Sequence, residues 1–373
     1  MGRLFACVLL VAACGDNLVS DPSDPSLKTT GFEHSTVSGT TAQRLVPAVC
    51  SSDSWSVTPP ARAVELAVAS AHGVTSVFTI PEGGGQLYGF TVDDRMVVTS
   101  DPNGTKLQVG DSFSTVSATV FHDQLVTSGV AGDTAYVDLF EHGINGTPKR
   151  LGKVGATTLA QSSFLQLVNS TMLVTGGTDG VSLTQVGANF DLGATMLVGA
   201  SAPVTSMSAS QYGQTILATW TTSNHECYVE HVAGLTAGNA THSMVNCDHA
   251  RIASNINNDD ARIVFDGAGG LRLMHVSHMQ IGGDSVMLRP LASASRVVYD
   301  GLHYWVSYID VRGQIVVGYL DAQSQLVSMA IEGPTPVGES YELSVIDGRV
   351  WVIAQDVQSG YTATQMCLAN EVD

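Results

Sequence analysis

Positive charge is scarce in this chain. Of 373 residues, 16 are Lys or Arg, four of them Lys, against 34 Asp or Glu, which leaves a net charge of −18. Proteins that bind nucleic acid draw most of their affinity from cations set against phosphates, so no nucleic-acid partner is expected. Charged residues of both signs make up only 13%, about half the usual share. Apolar residues are nonetheless 44%, enough to build a sizeable core and to exclude wholesale disorder. No apolar run reaches the ~18 residues that a membrane-crossing helix needs. Helical periodicity is nearly absent after residue 46. Also missing are a GxSxG elbow, a P-loop, a Rossmann glycine set and an EF-hand loop. No catalytic residue, cofactor or metal is therefore assigned.

What is present is a series of short β-type runs broken by turn residues. The clearest stretch, 295–331, splits into strands at Arg296–Tyr299, Tyr304–Ile309, Gln314–Leu320 and Leu326–Ile331. Asp300-Gly301, Arg312-Gly313 and Asp321–Ser324 supply the turns, and Asp-Gly is a strong hairpin signal. The same four-strand unit fits the rest of the chain, with first strands near Ala63, Phe113, Thr157, Pro203, Ala250, Ala294 and Tyr341. Spacings of 44–50 residues with four strands per unit predict propeller blades. The fold expected is an all-β, seven-bladed β-propeller over residues 45–373, with six or eight blades as neighbouring counts and a pair of β-sandwiches as the competing architecture. The last unit holds only three strands. Its fourth is expected from Leu45–Cys50, so that the chain ends pair in one blade and leave no open edge.

This layout also pairs the cysteines. Cys227 falls in the third strand of unit four and Cys247 in the fourth. Cys367 falls in the third strand of unit seven, and Cys50 lies in the borrowed fourth. The expected bridges are Cys50–Cys367 and Cys227–Cys247. The competing reading is a zinc site built from Cys227, Cys247 and the nearby His225, His231 and His249. It lacks any CxxC or HxxxH spacing.

The first residues, MGRLFACVLLVAAC, carry Arg3, a ten-residue apolar stretch from Leu4 to Ala13, and then a cysteine. This pattern suits a secretory signal. Leu10-Val11-Ala12-Ala13-Cys14 resembles the lipobox of bacterial lipoproteins. The resemblance implies removal of residues 1–13 and a lipid anchor on Cys14, hence a place in the bacterial cell envelope, outer membrane, periplasmic or surface-facing, with the choice between inner and outer membrane not set by these residues. The competing reading is an ordinary secretory signal with an incidental cysteine. Residues 14–44, rich in Ser, Thr, Asp, Pro and Gly, read as a flexible tether with a span of roughly 30 Å. The β-repeat behind such a leader resembles the propeller-like lipoproteins of many bacteria.

Propellers place ligands at the channel mouth formed by the inter-blade loops and the loops between second and third strands. In this layout Asp111, His249, Arg251, Arg312 and Glu339 are the candidate binding residues there, among a rim of further carboxylates. The function expected is a lipid-anchored envelope module that binds a protein or a polar ligand without catalysis. The alternative is a hydrolase or lyase acting on polysaccharide or peptidoglycan fragments, which rests on fold analogy alone.

Overall fold

The computed structural model describes residues 45–370, except 56–62, 82–84, 94–96, 101–104, 108–111, 122, 141–142, 145–147, 156–158, 168–169, 188–190, 200–201, 234–235, 238–240, 278–279, 282–284, 332–335 and 357–359. The leader 1–13, Cys14, the tether 14–44 and Asp111 lie outside the described residues, as does the side chain of Glu339.

Seven antiparallel sheets of four or five strands follow one another along the chain. Their first strands are Ala63–Ala71, Thr115–Phe121, Leu159–Gln166, Val204–Tyr212, His249–Asn255, Ser293–Tyr299 and Pro336–Ile346. Each packs beside the first strand of the next sheet, and Pro336–Ile346 returns to Ala63–Ala71. The first strands therefore form the inner ring of a closed seven-bladed β-propeller, with blades numbered 1 to 7 in this order. Expected and observed first strands agree to within five residues.

Burial explains why the strands read as they do. The second and third strands of blade 6, Tyr304–Ile309 and Ile315–Leu320, are buried at every position. Neighbouring blades cover both faces, so alternation disappears from the sequence. Apolar side chains fill each interface between blades. Between blades 2 and 3, for example, Phe121, Val126 and Leu139 meet Phe164, Leu173 and Val186. Polar side chains stitch the same seams. Tyr304 donates to the carbonyl of Asp260 at 2.9 Å and accepts from the amide of Asn255 at 3.0 Å, joining blades 5 and 6. Gln355 Oε1 accepts from the amide of Ala63 at 2.6 Å across the junction of blades 7 and 1.

Blade 7 is closed by the N-terminal segment. Its order from the inside is Pro336–Ile346, Arg349–Asp356, Gly360–Asn370 and Leu45–Trp55. Leu45 stands opposite Asn370 and Trp55 opposite Tyr361. The borrowed strand thus runs five residues past the expected Leu45–Cys50. Cys50 sits in a bulge between Val49 and Ser51 and is bridged to Cys367, with Cα atoms 5.9 Å apart. Cys227 is bridged to Cys247 at the same Cα separation. Cys247 lies two residues beyond the fourth-strand segment Thr241–Val245 rather than inside it. Blades 4 and 5 each build their outer edge from two pieces, Thr236–Ala237 with Thr241–Val245 and Gln280–Ile281 with Val286–Arg289.

Candidate functional site

The inner ring encloses a channel cavity of about 460 Å³, lined by all seven first strands. Strand register puts one polar tier around it. Glu65, Thr115, Ser162, Ser206, Arg251, Arg296 and Glu342 stand opposite Ile80, Val130, Thr175, Thr221, Val264, Ser307 and Ile353 of their second strands. Each partner lies one to three residues from the end of that strand nearest the inter-blade loops. The tier therefore sits just inside the mouth.

Its two halves differ. Blades 2, 3 and 4 contribute hydroxyls, and blades 5, 6, 7 and 1 contribute charges. Arg296 Nε lies 3.4 Å from Glu342 Oε2, with side chains 15% and 29% exposed. The Arg296 guanidinium also lies 5.2 Å above the ring of Tyr341, a cation–π arrangement. Burial raises the Glu342 carboxyl above its ordinary range, against the opposing pull of Arg296 and Arg251. Arg251 donates to Ser206 Oγ at 2.7 Å and to the carbonyl of Ala250 at 3.0 Å. Burial, and then the charge of Arg296, lowers its pKa, while Glu65, Asp266 and Glu342 pull it back up. It remains a cation, as guanidinium groups in proteins do.

Beside Arg251 lies a second constellation. His249 Nδ1 is 2.8 Å from Asp266 Oδ1, and Asp266 Oδ2 accepts from the amide of Ser295 at 2.5 Å. Burial would raise Asp266, but the hydrogen bond and charge of His249 and the bonds from Ser295 hold its pKa below the ordinary value. Asp266 thus ties the second strand of blade 5 to the first strand of blade 6.

Of the residues expected at the mouth, His249 and Arg251 both line the channel. Arg312 lies outside the cavity, on the loop between the second and third strands of blade 6. It is paired with Asp310 of its own turn at 3.1 Å and is 69% exposed. The side chains of Asp111 and Glu339 lie outside the described residues. The cysteines that a zinc site would need are bridged. The histidines beside them go elsewhere, His225 to Asp248 at 2.6 Å and His231 to Thr215 at 2.7 Å. Among the described residues, no group of His, Cys, Asp and Glu is arranged to hold a metal.

Sequence reasoning missed Glu65, Arg296 and Glu342. Their signal was a single charge inside an otherwise apolar or small-residue first strand: AVELAV, ASRVV and YELSV. A lone charge facing the channel of a propeller stands out only once the first strand of every blade is aligned.

No family model and no curated protein sequence matches the chain. Solved structures match its fold. The WD40 domain of coronin from Toxoplasma gondii superposes with a TM-score of 0.60 at 11% identity, over 89% of this chain and 90% of that one. A second, BBS1N in complex with ARL6DN, gives 0.59 at 10% identity, over 87% and 98%. This is propeller architecture without detectable kinship. At such identity the likeness concerns the fold and carries no residue role. The two bridges point to an oxidising compartment outside the cytosol.

Proposed function

We propose that this protein is a lipid-anchored binding module of the bacterial cell envelope, held by Cys14 and the tether 14–44, which engages a protein partner through the channel-mouth face without catalysis. The observation that carries the reading is the polarity of the closed ring. Leu45, where the tether meets the domain, pairs with Asn370 at the end of blade 7 away from the inter-blade loops. An anchor pulling on Leu45 therefore turns the opposite, mouth face toward the surroundings. That face carries exposed apolar side chains, Leu291 at 66% and Val311 at 73%, beside the charged pair Asp310–Arg312. Apolar anchors within a polar rim are the composition of a protein interface. His249, Arg251 and Arg312, with Asp111 and Glu339, are the polar residues assigned to it.

Cys14→Ala is expected to abolish incorporation of labelled palmitate and to release the protein from the membrane fraction. Retained labelling would end the anchor reading. Cross-linking in cells should capture a partner at Val311 and Leu291, and Val311→Asp should remove it. Capture that survives Val311→Asp with Leu291→Asp would place the interface elsewhere.

A further inference from the structure

The channel holds a cation, Arg251, that feels the charges of Glu65, Asp266 and Glu342. Arg251 has no ion-pair partner among the described residues. Of the three carboxylates whose charge reaches it, Glu65, Asp266 and Glu342, the last two are otherwise engaged, Asp266 with His249 and Ser295 and Glu342 with Arg296. Among the described residues its hydrogen bonds use Nη1, toward Ser206 Oγ and its own strand. The guanidinium edge carrying Nε and Nη2 has no acceptor among the described residues.

A second observation comes from the hydroxyl half of the tier. Ser162 is 6% exposed and lines the cavity, yet its Oγ has no hydrogen-bond partner. Thr115 Oγ1, one blade further round, is likewise unpartnered. Buried hydroxyls are normally satisfied. Two orphans in the same tier as an unpaired guanidinium make an arc, Arg251–Ser206–Ser162–Thr115, across blades 5 to 2.

We infer that this arc is a binding site for a small hydroxylated monocarboxylate, such as a sugar acid, with Arg251 clamping the carboxylate and Ser162 and Thr115 bonding the ligand hydroxyls. A guanidinium edge presents parallel N–H groups that match a carboxylate. Glu65 and Glu342 line the same cavity and oppose a second negative charge, so a dianion such as sulfate is discriminated against. A cavity of about 460 Å³ falls in the range of small-molecule sites. The assignment stands apart from the docking reading, because the site lies inside the channel and requires neither an anchor nor a partner.

Isothermal titration of the purified protein with D-glucuronate, glycolate, glucose and sulfate tests it. Glucuronate should bind saturably, glycolate more weakly, and glucose and sulfate at least tenfold more weakly than glucuronate. Arg251→Gln should weaken glucuronate at least tenfold, and Ser162→Ala severalfold. Silence with both carboxylates, equal affinity for sulfate, or undiminished binding by Arg251→Gln would each overturn the assignment. Should Arg251→Gln fail to fold, Ser162→Val serves instead. It keeps the cation and replaces the hydroxyl with methyl groups, and unchanged glucuronate binding would overturn the site equally.

Discussion

Asp266 is 1% exposed and accepts from two blades at once, which makes it costly to remove. Replacing it with Ala leaves the Ser295 amide and the His249 ring facing a gap. Loss of one partner of a buried charged bond costs on the order of 3 kcal/mol, so Asp266→Ala should lower the urea midpoint markedly without altering the disulfides. The same residue sets a pH response. Its folded pKa lies below the ordinary carboxylate value, as does that of Asp260, where burial is outweighed by bonds from Arg262, Tyr304 and His275. A depressed folded pKa gives stability that is complete above the unfolded value and is lost as pH falls through the folded one. Stability should therefore hold down to about pH 4 and decline below it. Glu342 works in the opposite sense, because its raised pKa favours the protonated folded state. Asp266→Asn should blunt the acid limb, and an unchanged limb would assign it to other carboxylates.

At the scale of elements, the strand Leu45–Trp55 is the clasp of the ring. Its bridge to Cys367 closes 317 residues, while Cys227–Cys247 closes only 20. Loop-closure entropy assigns roughly 5–6 kcal/mol to the first and about 3 to the second, as upper figures. Denaturant titration should find Cys50→Ser with Cys367→Ser the more destabilising pair. Equal losses would mean that the unfolded chain is already constrained near its ends. A close approach limits a second element. In blade 2, a Cβ on Gly129 would lie 2.6 Å from the Phe113 ring and 3.0 Å from the Thr115 carbonyl. Overpacking of this kind costs about 1–3 kcal/mol, so Gly129→Ala should shift the melting temperature down by several degrees. The turn chemistry that frames such strands was legible beforehand. Asp300, Asp310 and Asp321 each accept amides of their own turns, and the boundaries of blade 6 follow from Asp300-Gly301, Arg312-Gly313 and Asp321–Ser324. The split outer strands of blades 4 and 5 were not legible, because outer strands are half-solvated and carry little apolar pattern.

At the scale of the whole molecule, seven blades, the borrowed strand and both cysteine pairs could be read from the sequence, since repeat spacing and turn residues are local signals. The channel lining could be read only in part. His249 and Arg251 stood out by type, whereas the orphaned hydroxyls of Ser162 and Thr115 are ordinary residues whose meaning depends on four other blades. Arg312 shows the converse: a charge in the right loop is consumed by the aspartate two positions before it.

The pairing of Leu45 with Asn370 makes the ring topologically indifferent to where its covalent chain is cut. A circular permutant that links the two ends with a short Gly-Ser connector and opens at Asp300–Gly301, a turn between the first and second strands of blade 6, would move the seam from blade 7 to blade 6. The Cys50–Cys367 bridge would then become a local staple, and the new seam would have none. The site of entry for unfolding should migrate with the cut; entry that stays in blade 7 would assign the weakness to that blade rather than to the seam.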